Sequence, residues 1–203
     1  TSGSSGKPKG VKVCDAGMVN RLYWMWETYP FEEHEKCVLK TSLSFGDHIW
    51  ELFGPLNSGI CSVLLRKADI LDLDVFIEKL SSNKITRLVL VPSLLRTLLT
   101  RLRAEQTYFE HLKYWTCSGE TLTYDLIEYF YELFPKNHYR LLNIYGSTEV
   151  SADVTCYDTS SGSVNQKRAE SSETKFYPLE NNQKNLPIGK PIANCKVYIL
   201  DKE

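Results

Sequence analysis

The sequence predicts an α/β fold, a mainly parallel sheet flanked by helices on both faces. Three observations predict it: short β-like runs alternate with helical patterns, both have lengths typical of packed elements, and start and stop signals fall between them. Alternation of this kind joins parallel strands through helices that cover the sheet.

Residues 1–10 form a loop rich in Gly, Ser and Lys. An amphipathic helix follows over about 15–29, with Met18, Leu22, Met25 and Trp26 at helical spacing. Residues 36–41 read as a strand, 49–56 as a helix and 61–65 as a strand, and Asp72 caps a helix through residue 80. The next strand is 87–91, after which Pro92-Ser93 opens a helix carrying Leu94, Leu95, Leu98, Leu99 and Leu102 on one face. Residues 114–117 are a strand, and 123–134 a helix stopped by Pro135. Strand-like 139–144 and 154–157 complete the alternation. Residues 158–185 break it with Ser, Glu, Asn, Gln and Lys, as a polar surface insertion does. A strand pattern returns over 196–201. The opening loop needs a strand before it and the last strand a partner after it, so 1–203 is expected to be one domain cut at both ends.

Hydrophobic residues make up 42% and charged residues 24% of the 203, with a net charge of −1. Nothing in that balance favours a nucleic-acid or membrane surface. No apolar run approaches the ~18 residues of a membrane span. Cys14, Cys37, Cys61, Cys117, Cys156 and Cys195 are scattered singly, without metal-ligand spacing. They read as small hydrophobes in a reducing compartment, and a cytoplasmic location is expected. The four histidines have no nucleophile at a telling spacing and no serine sits in a G-x-S-x-G elbow, which argues against a hydrolase triad.

Ligands of parallel sheets bind beyond the carboxyl ends of the strands. Ser118-Gly119-Glu120 and Tyr145-Gly146-Ser147-Thr148-Glu149 both follow strands, so they share one rim with the opening loop, if a strand precedes that loop. The loop runs Thr1-Ser2-Gly3-Ser4-Ser5-Gly6-Lys7-Pro8-Lys9-Gly10, small residues that let backbone N–H groups approach an anion, with lysines adding charge. It is not a Walker A loop, because Pro8 follows Gly6-Lys7. A cloning linker is the competing explanation.

Four segments together carry a resemblance. The opening loop through Val11 resembles the phosphate-loop signature of the adenylate-forming (AMP-binding) superfamily, and Asn143-Ile144-Tyr145-Gly146-Ser147-Thr148-Glu149 resembles its Asn-x-Tyr-Gly-x-Thr-Glu signature. Ser118-Gly119-Glu120 looks like its adenine-binding turn, and Leu186-Pro187-Ile188-Gly189-Lys190-Pro191 like the start of its next block. They fall in the family's order, so the chain is identified as the central part of the large N-terminal domain of such an enzyme, of the kind found in nonribosomal peptide synthetases.

The resemblance implies roles. Thr148 would hydrogen-bond the α-phosphate of ATP and Glu149 would bind Mg²⁺. Tyr145 would stack on adenine, with Asn143 and the Gly119–Glu120 backbone along its edge. Thr1, Ser2, Gly3, Ser4, Ser5, Gly6, Lys7 and Lys9 would hold the outer phosphates, and Gly146 and Ser147 complete the nucleotide set. Phe45-Gly46-Asp47-His48-Ile49-Trp50-Glu51 matches the segment where α-amino-acid-activating domains carry Phe-Asp-x-x-x-Trp-Glu. Here the acid stands one residue later, as in domains that activate β-alanine, which suits an ammonium one carbon further from the carboxylate. A helix N-cap is the alternative role for Asp47. Asp153 falls on the opposite wall of the pocket, placed to share the ammonium, and Trp50, Leu90, Thr116, Ser118, Ile144 and Ala152 line it.

Asn20-Arg21-Leu22-Tyr23-Trp24-Met25-Trp26 and Arg87–Arg96 resemble ebony-type β-alanyl-amine synthetases. The expected activity is formation of an aminoacyl-adenylate from a small amino acid and ATP. Transfer would follow to a phosphopantetheine carrier domain in cis, and then to an amine. The catalytic lysine of the family lies downstream of residue 203, so this stretch alone is expected to be inactive in ATP–pyrophosphate exchange. Rival functions are an acyl-CoA or aryl-acid ligase, disfavoured by Asp47 and Asp153, and a non-catalytic nucleotide-binding scaffold.

Overall fold

The structure, a computed structural model, describes residues 10–160 and 186–201, with the backbone alone at Ala152. The expected phosphate loop, Thr1 to Lys9, lies outside the described residues, as do residues 161–185 of the polar insertion.

The chain runs α1 (Asp15–Thr28), β1 (Lys36–Leu39), α2 (Asp47–Leu56), β2 (Cys61–Leu64), α3 (Lys67–Leu71), α4 (Leu73–Ser82), β3 (Arg87–Leu90) and α5 (Pro92–Glu105). It continues through β4 (Tyr114–Cys117), α6 (Tyr124–Leu133), β5 (Arg140–Ser147), a 3-10 turn (Thr148–Val150), β6 (Ala152–Asp158) and β7 (Lys190–Pro191). The strands form one sheet in the order β2-β1-β3-β4-β5-β6-β7. The first five are parallel, whereas β6 and β7 run antiparallel.

Each face of the sheet has its own core. On one side Leu88, Leu90, Trp115, Cys117 and Leu141 meet Phe76 and Leu80 of α4, four leucines of α5, and Leu126 and Phe130 of α6. On the other, Val89, Leu142 and Ile144 meet Leu22, Trp24 and Met25 of α1 and Trp50 of α2. Successive strand residues point to opposite faces, so a continuous apolar run feeds both cores.

Local chemistry accounts for the boundaries. Asp72 accepts hydrogen bonds from the amides of Asp74 and Val75, capping α4 as predicted. Pro92 opens α5, where its missing N–H is no loss. Several features differ from expectation. The five-residue α3 has no counterpart in the sequence pattern. Helix α2 starts at Asp47, two residues early. Strand β5 continues through Tyr145, Gly146 and Ser147, because β6 returns beside it and pairs with that polar segment. Residues 196–201 lie outside any strand, with Ile199 and Leu200 exposed. The sheet also enters the segment expected to be an insertion: Asp158 ends β6, and the buried Thr159 hydroxyl donates to the Leu141 carbonyl.

Candidate active site

The carboxyl ends of β4 and β5 and the reversal into β6 carry most of the candidate residues, and β5 divides them between the two faces of the sheet. Asn143 and Tyr145 alternate with Leu142 and Ile144, so they share the α5–α6 side. Asn143 is buried, and its Nδ2 donates to the Pro187 carbonyl at 3.1 Å, tying the 186–191 segment to the sheet. Tyr145 stands 52% exposed, an aromatic face left open to a planar ligand. Gly119 follows β4 at φ +81°, a conformation natural to glycine. The Glu120 carboxylate accepts from the Ser93 amide and hydroxyl at 2.9 and 3.0 Å, which fixes this turn on the start of α5. At the tip, a register shift falls between Tyr145 and Gly146, and Ser147, Thr148 and Glu149 are exposed.

The other side of β5 holds the second group. Trp50, Thr116, Ser118, Ile144 and Asp153 are all buried there, and Asp47 is partly buried at the start of α2. Trp50 lies flat against Phe31, with ring centroids 5.7 Å apart, and over Gly54 one turn on. A Cβ at Gly54 would come within 2.7 Å of the indole. Trp50, Val89, Thr116 and Leu142 also line a small void of about 10 Å³, about the size of one water.

Leu90 is not in this group. It packs in the α4–α6 core, on the far side of the sheet from Trp50. The neighbour on the pocket side is Val89, because a shift of one residue along a strand changes the face. Ala152 contributes its backbone to β6 opposite Ser147.

Asp47 makes no capping hydrogen bond: Gly46 is the N-cap residue of α2, and Asp47 sits at the first helical position. Its carboxyl is pushed up to about 6, first by burial and then by the negative charge of Asp153. Glu51 adds to the rise, while Arg21 and the nearby Ser118 side chain oppose it.

Arg21, quoted in the sequence only as part of the Asn20–Trp26 resemblance, adds a buried cation to this side of the sheet. Its Nε donates to Asp153 Oδ2 at 2.7 Å, and both side chains are buried. The guanidinium carbon also lies 5.3 Å from the Trp24 ring and 5.2 Å from the Trp50 ring. Arg21 interrupts the apolar stripe of α1 between Met18 and Met25, and a cation on a buried face requires an anion opposite it. Close approach of α1 makes the pair possible: a Cβ on Gly17 would lie 2.7 Å from Ser151.

Among the described residues there is no cluster of three or more His, Cys, Asp or Glu side chains fit to hold a metal ion. All six cysteines are free, with Cys37 and Cys117 buried and Cys14 and Cys61 exposed. Among the described residues no helix is long and apolar enough to cross a membrane.

A family model described as AMP-binding enzyme matches residues 1–203. The beta-alanyl-bioamine nonribosomal peptide synthetase ebony of Drosophila melanogaster is 40% identical over 209 residues, covering 100% of this chain and 22% of that protein. Tyrocidine synthase 3 of Brevibacillus parabrevis is 32% identical over 201 residues, covering 99% of this chain and 3% of its own length. Among solved structures, the Vibrio cholerae adenylation domain AlmE, in complex with glycyl-adenosine-5'-phosphate, has the same fold. It matches at a TM-score of 0.71 and 22% identity, over 94% of this chain and 32% of that one. The chain thus spans less than a quarter of the length of these curated relatives.

Proposed function

Because the chain belongs to the AMP-binding enzymes, we propose that it carries the nucleotide and amino-acid sites of a peptide-synthetase-type adenylation domain that activates a small β-amino acid, β-alanine foremost. In the reaction, an amino-acid carboxylate oxygen attacks the α-phosphorus of ATP. The bond to the bridging oxygen breaks, pyrophosphate leaves, and an aminoacyl-adenylate remains. Two anions must meet, so the site must orient both and stabilise the charge that develops between them.

The two sides of β5 suit that division. Tyr145 offers a stacking face for adenine, and Asn143 with the Gly119–Glu120 backbone offers hydrogen-bonding edges. On the opposite side Asp47 receives the substrate ammonium, with Asp153 across the pocket and Trp50, Val89, Thr116, Ser118 and Ile144 closing its depth. Thr148 and Glu149, at the tip between them, face the phosphates. Mg²⁺ here would rest on the single carboxylate of Glu149 together with phosphate oxygens and waters, the usual mode for that ion, and would neutralise phosphate charge. The Thr1–Lys9 loop holds the outer phosphates, and a carrier-domain phosphopantetheine thiol takes the aminoacyl group onward to an amine.

One observation carries the substrate assignment: Asp47, one residue beyond Gly46, is partly buried beside Ser118 and caps no helix. The name of the 40%-identical relative supports it. The test is a panel of amino acids in ATP–pyrophosphate exchange with the full-length protein that contains this chain. β-Alanine should give the highest kcat/KM. A higher value for α-alanine or a long apolar amino acid would overturn the role given to Asp47. Binding of MgATP and β-alanine without exchange would instead mark a non-catalytic scaffold.

A further inference from the structure

The pocket contains an ion pair before any substrate enters. Arg21 and Asp153 are buried together, and Asp47 stands within electrostatic reach of both. Glu51 is engaged elsewhere: its carboxylate accepts from the amides of Lys40 and Thr41 and the Thr41 hydroxyl, and Lys40 Nζ lies 3.6 Å away. One guanidinium against two carboxylates leaves a single unbalanced negative charge. An unbalanced buried charge is costly until a counter-ion arrives. Arg21 Nη1 is itself buried and without a hydrogen-bond partner, so the pair is not arranged for its own best stability.

We propose that Arg21 sets the charge count of this pocket, so that it accepts an amino acid with one ammonium group and rejects the diamino acid of the same skeleton. This rests on the adenylation reading above. The mono-ammonium substrate completes two pairs: Arg21 with Asp153, and the ammonium with Asp47. A second ammonium finds no free carboxylate and meets the guanidinium instead. Arg21 acts through Asp153 and the local field, as a specificity-determining residue; it takes part in no bond change. Its placement between Trp24 and Trp50 keeps the cation at the wall of the site.

The test measures pyrophosphate exchange by the full-length protein with β-alanine and with 2,3-diaminopropionate, which adds one amine to that skeleton. The ratio of their kcat/KM values is the readout. Arg21→Gln leaves two carboxylates facing the substrate and should shift the ratio toward the diamino acid by about tenfold or more. Asp153→Asn removes the negative charge and should raise KM for β-alanine without favouring the diamino acid. The double variant restores the original charge count and should return the ratio to within about threefold of wild type. Arg21→Lys, which keeps the charge and loses the planar fork, should also keep the ratio. KM for ATP serves as the control for folding.

An Arg21→Gln protein with unchanged KM for ATP and an unchanged ratio would overturn the proposal. So would a double variant, or a lysine variant, that keeps the shifted ratio, since packing and not charge would then be responsible. If wild type prefers another mono-ammonium acid, the substrate assignment fails separately. The same comparison with that acid and its diamino homologue then decides the role of Arg21.

Discussion

Acidification should weaken amino-acid binding at this site while leaving nucleotide binding nearly unchanged. The ammonium needs an ionised Asp47, whose carboxyl is raised to about 6 by burial and by Asp153. The charged groups facing it are Asp153 from β6, Arg21 from α1 and Glu51 from its own helix. With that value, Asp47 is about nine-tenths ionised at pH 7 and about one-tenth at pH 5. KM for the amino acid should therefore rise by roughly tenfold over those two units. Stability runs the other way. A carboxyl with a raised pKa favours the folded state more as pH falls through 6, and the gain is complete below the unfolded value near 4. Loss of binding at pH 5 is thus not loss of fold through this group. The assay is amino-acid-dependent pyrophosphate exchange from pH 5 to 8, at saturating ATP, for wild type and Asp47→Asn. The variant should show a high KM with no slope through pH 6. A wild-type KM flat across this range, or an Asn variant with the same slope, would refute the assignment of the ammonium to Asp47.

Three further outcomes follow from the geometry. Gly189→Ala should lower stability by about 2–4 kcal/mol, read as a lower Tm. Residue 189 has φ +92°, and a Cβ there would lie 2.0 Å from the Cys156 carbonyl oxygen. Glu35→Ala should cost about 3–5 kcal/mol in denaturant unfolding. It strands the buried Arg87, which Glu35 pairs and which stacks on Phe31 and Tyr114. Tyr145→Ala should raise KM for ATP roughly tenfold through lost stacking, while Tm stays nearly fixed and Tyr145→Phe is silent; the ring is half exposed and its removal leaves no cavity.

Local signals make most of the sheet legible. Residues 114–117 form β4 as expected, Asp72 caps α4 and Pro92 opens α5, since each signal acts over a few residues. The misplacement of Leu90 has a different cause. In Leu88-Val89-Leu90-Val91 every residue is apolar, so the pattern gives no parity, and only the packing shows that Val89 faces Trp50. Strand β5 reads too short in the sequence because Tyr145 to Ser147 look like a polar turn, and their pairing with β6 is a tertiary fact. Arg21 escapes for the same reason, its partner being 132 residues away. The family resemblance, resting on four separated motifs, agrees with the family model that matches the whole chain.

The reversal between β5 and β6 sets a length. Thr148 and Asp153 are separated by one 3-10 turn and the first residues of β6, with Ser151 in the left-handed region at the corner. On the proposed roles, one end of this connector addresses phosphate and the other faces the ammonium, so the chain itself serves as a gauge between the two reacting molecules. Inserting a residue inside β6, between Ala152 and Asp153, would both lengthen the gauge and turn Asp153 to the opposite face of the sheet. A pocket built this way would change its amino acid more readily by exchanging side chains at fixed positions than by changing the spacing.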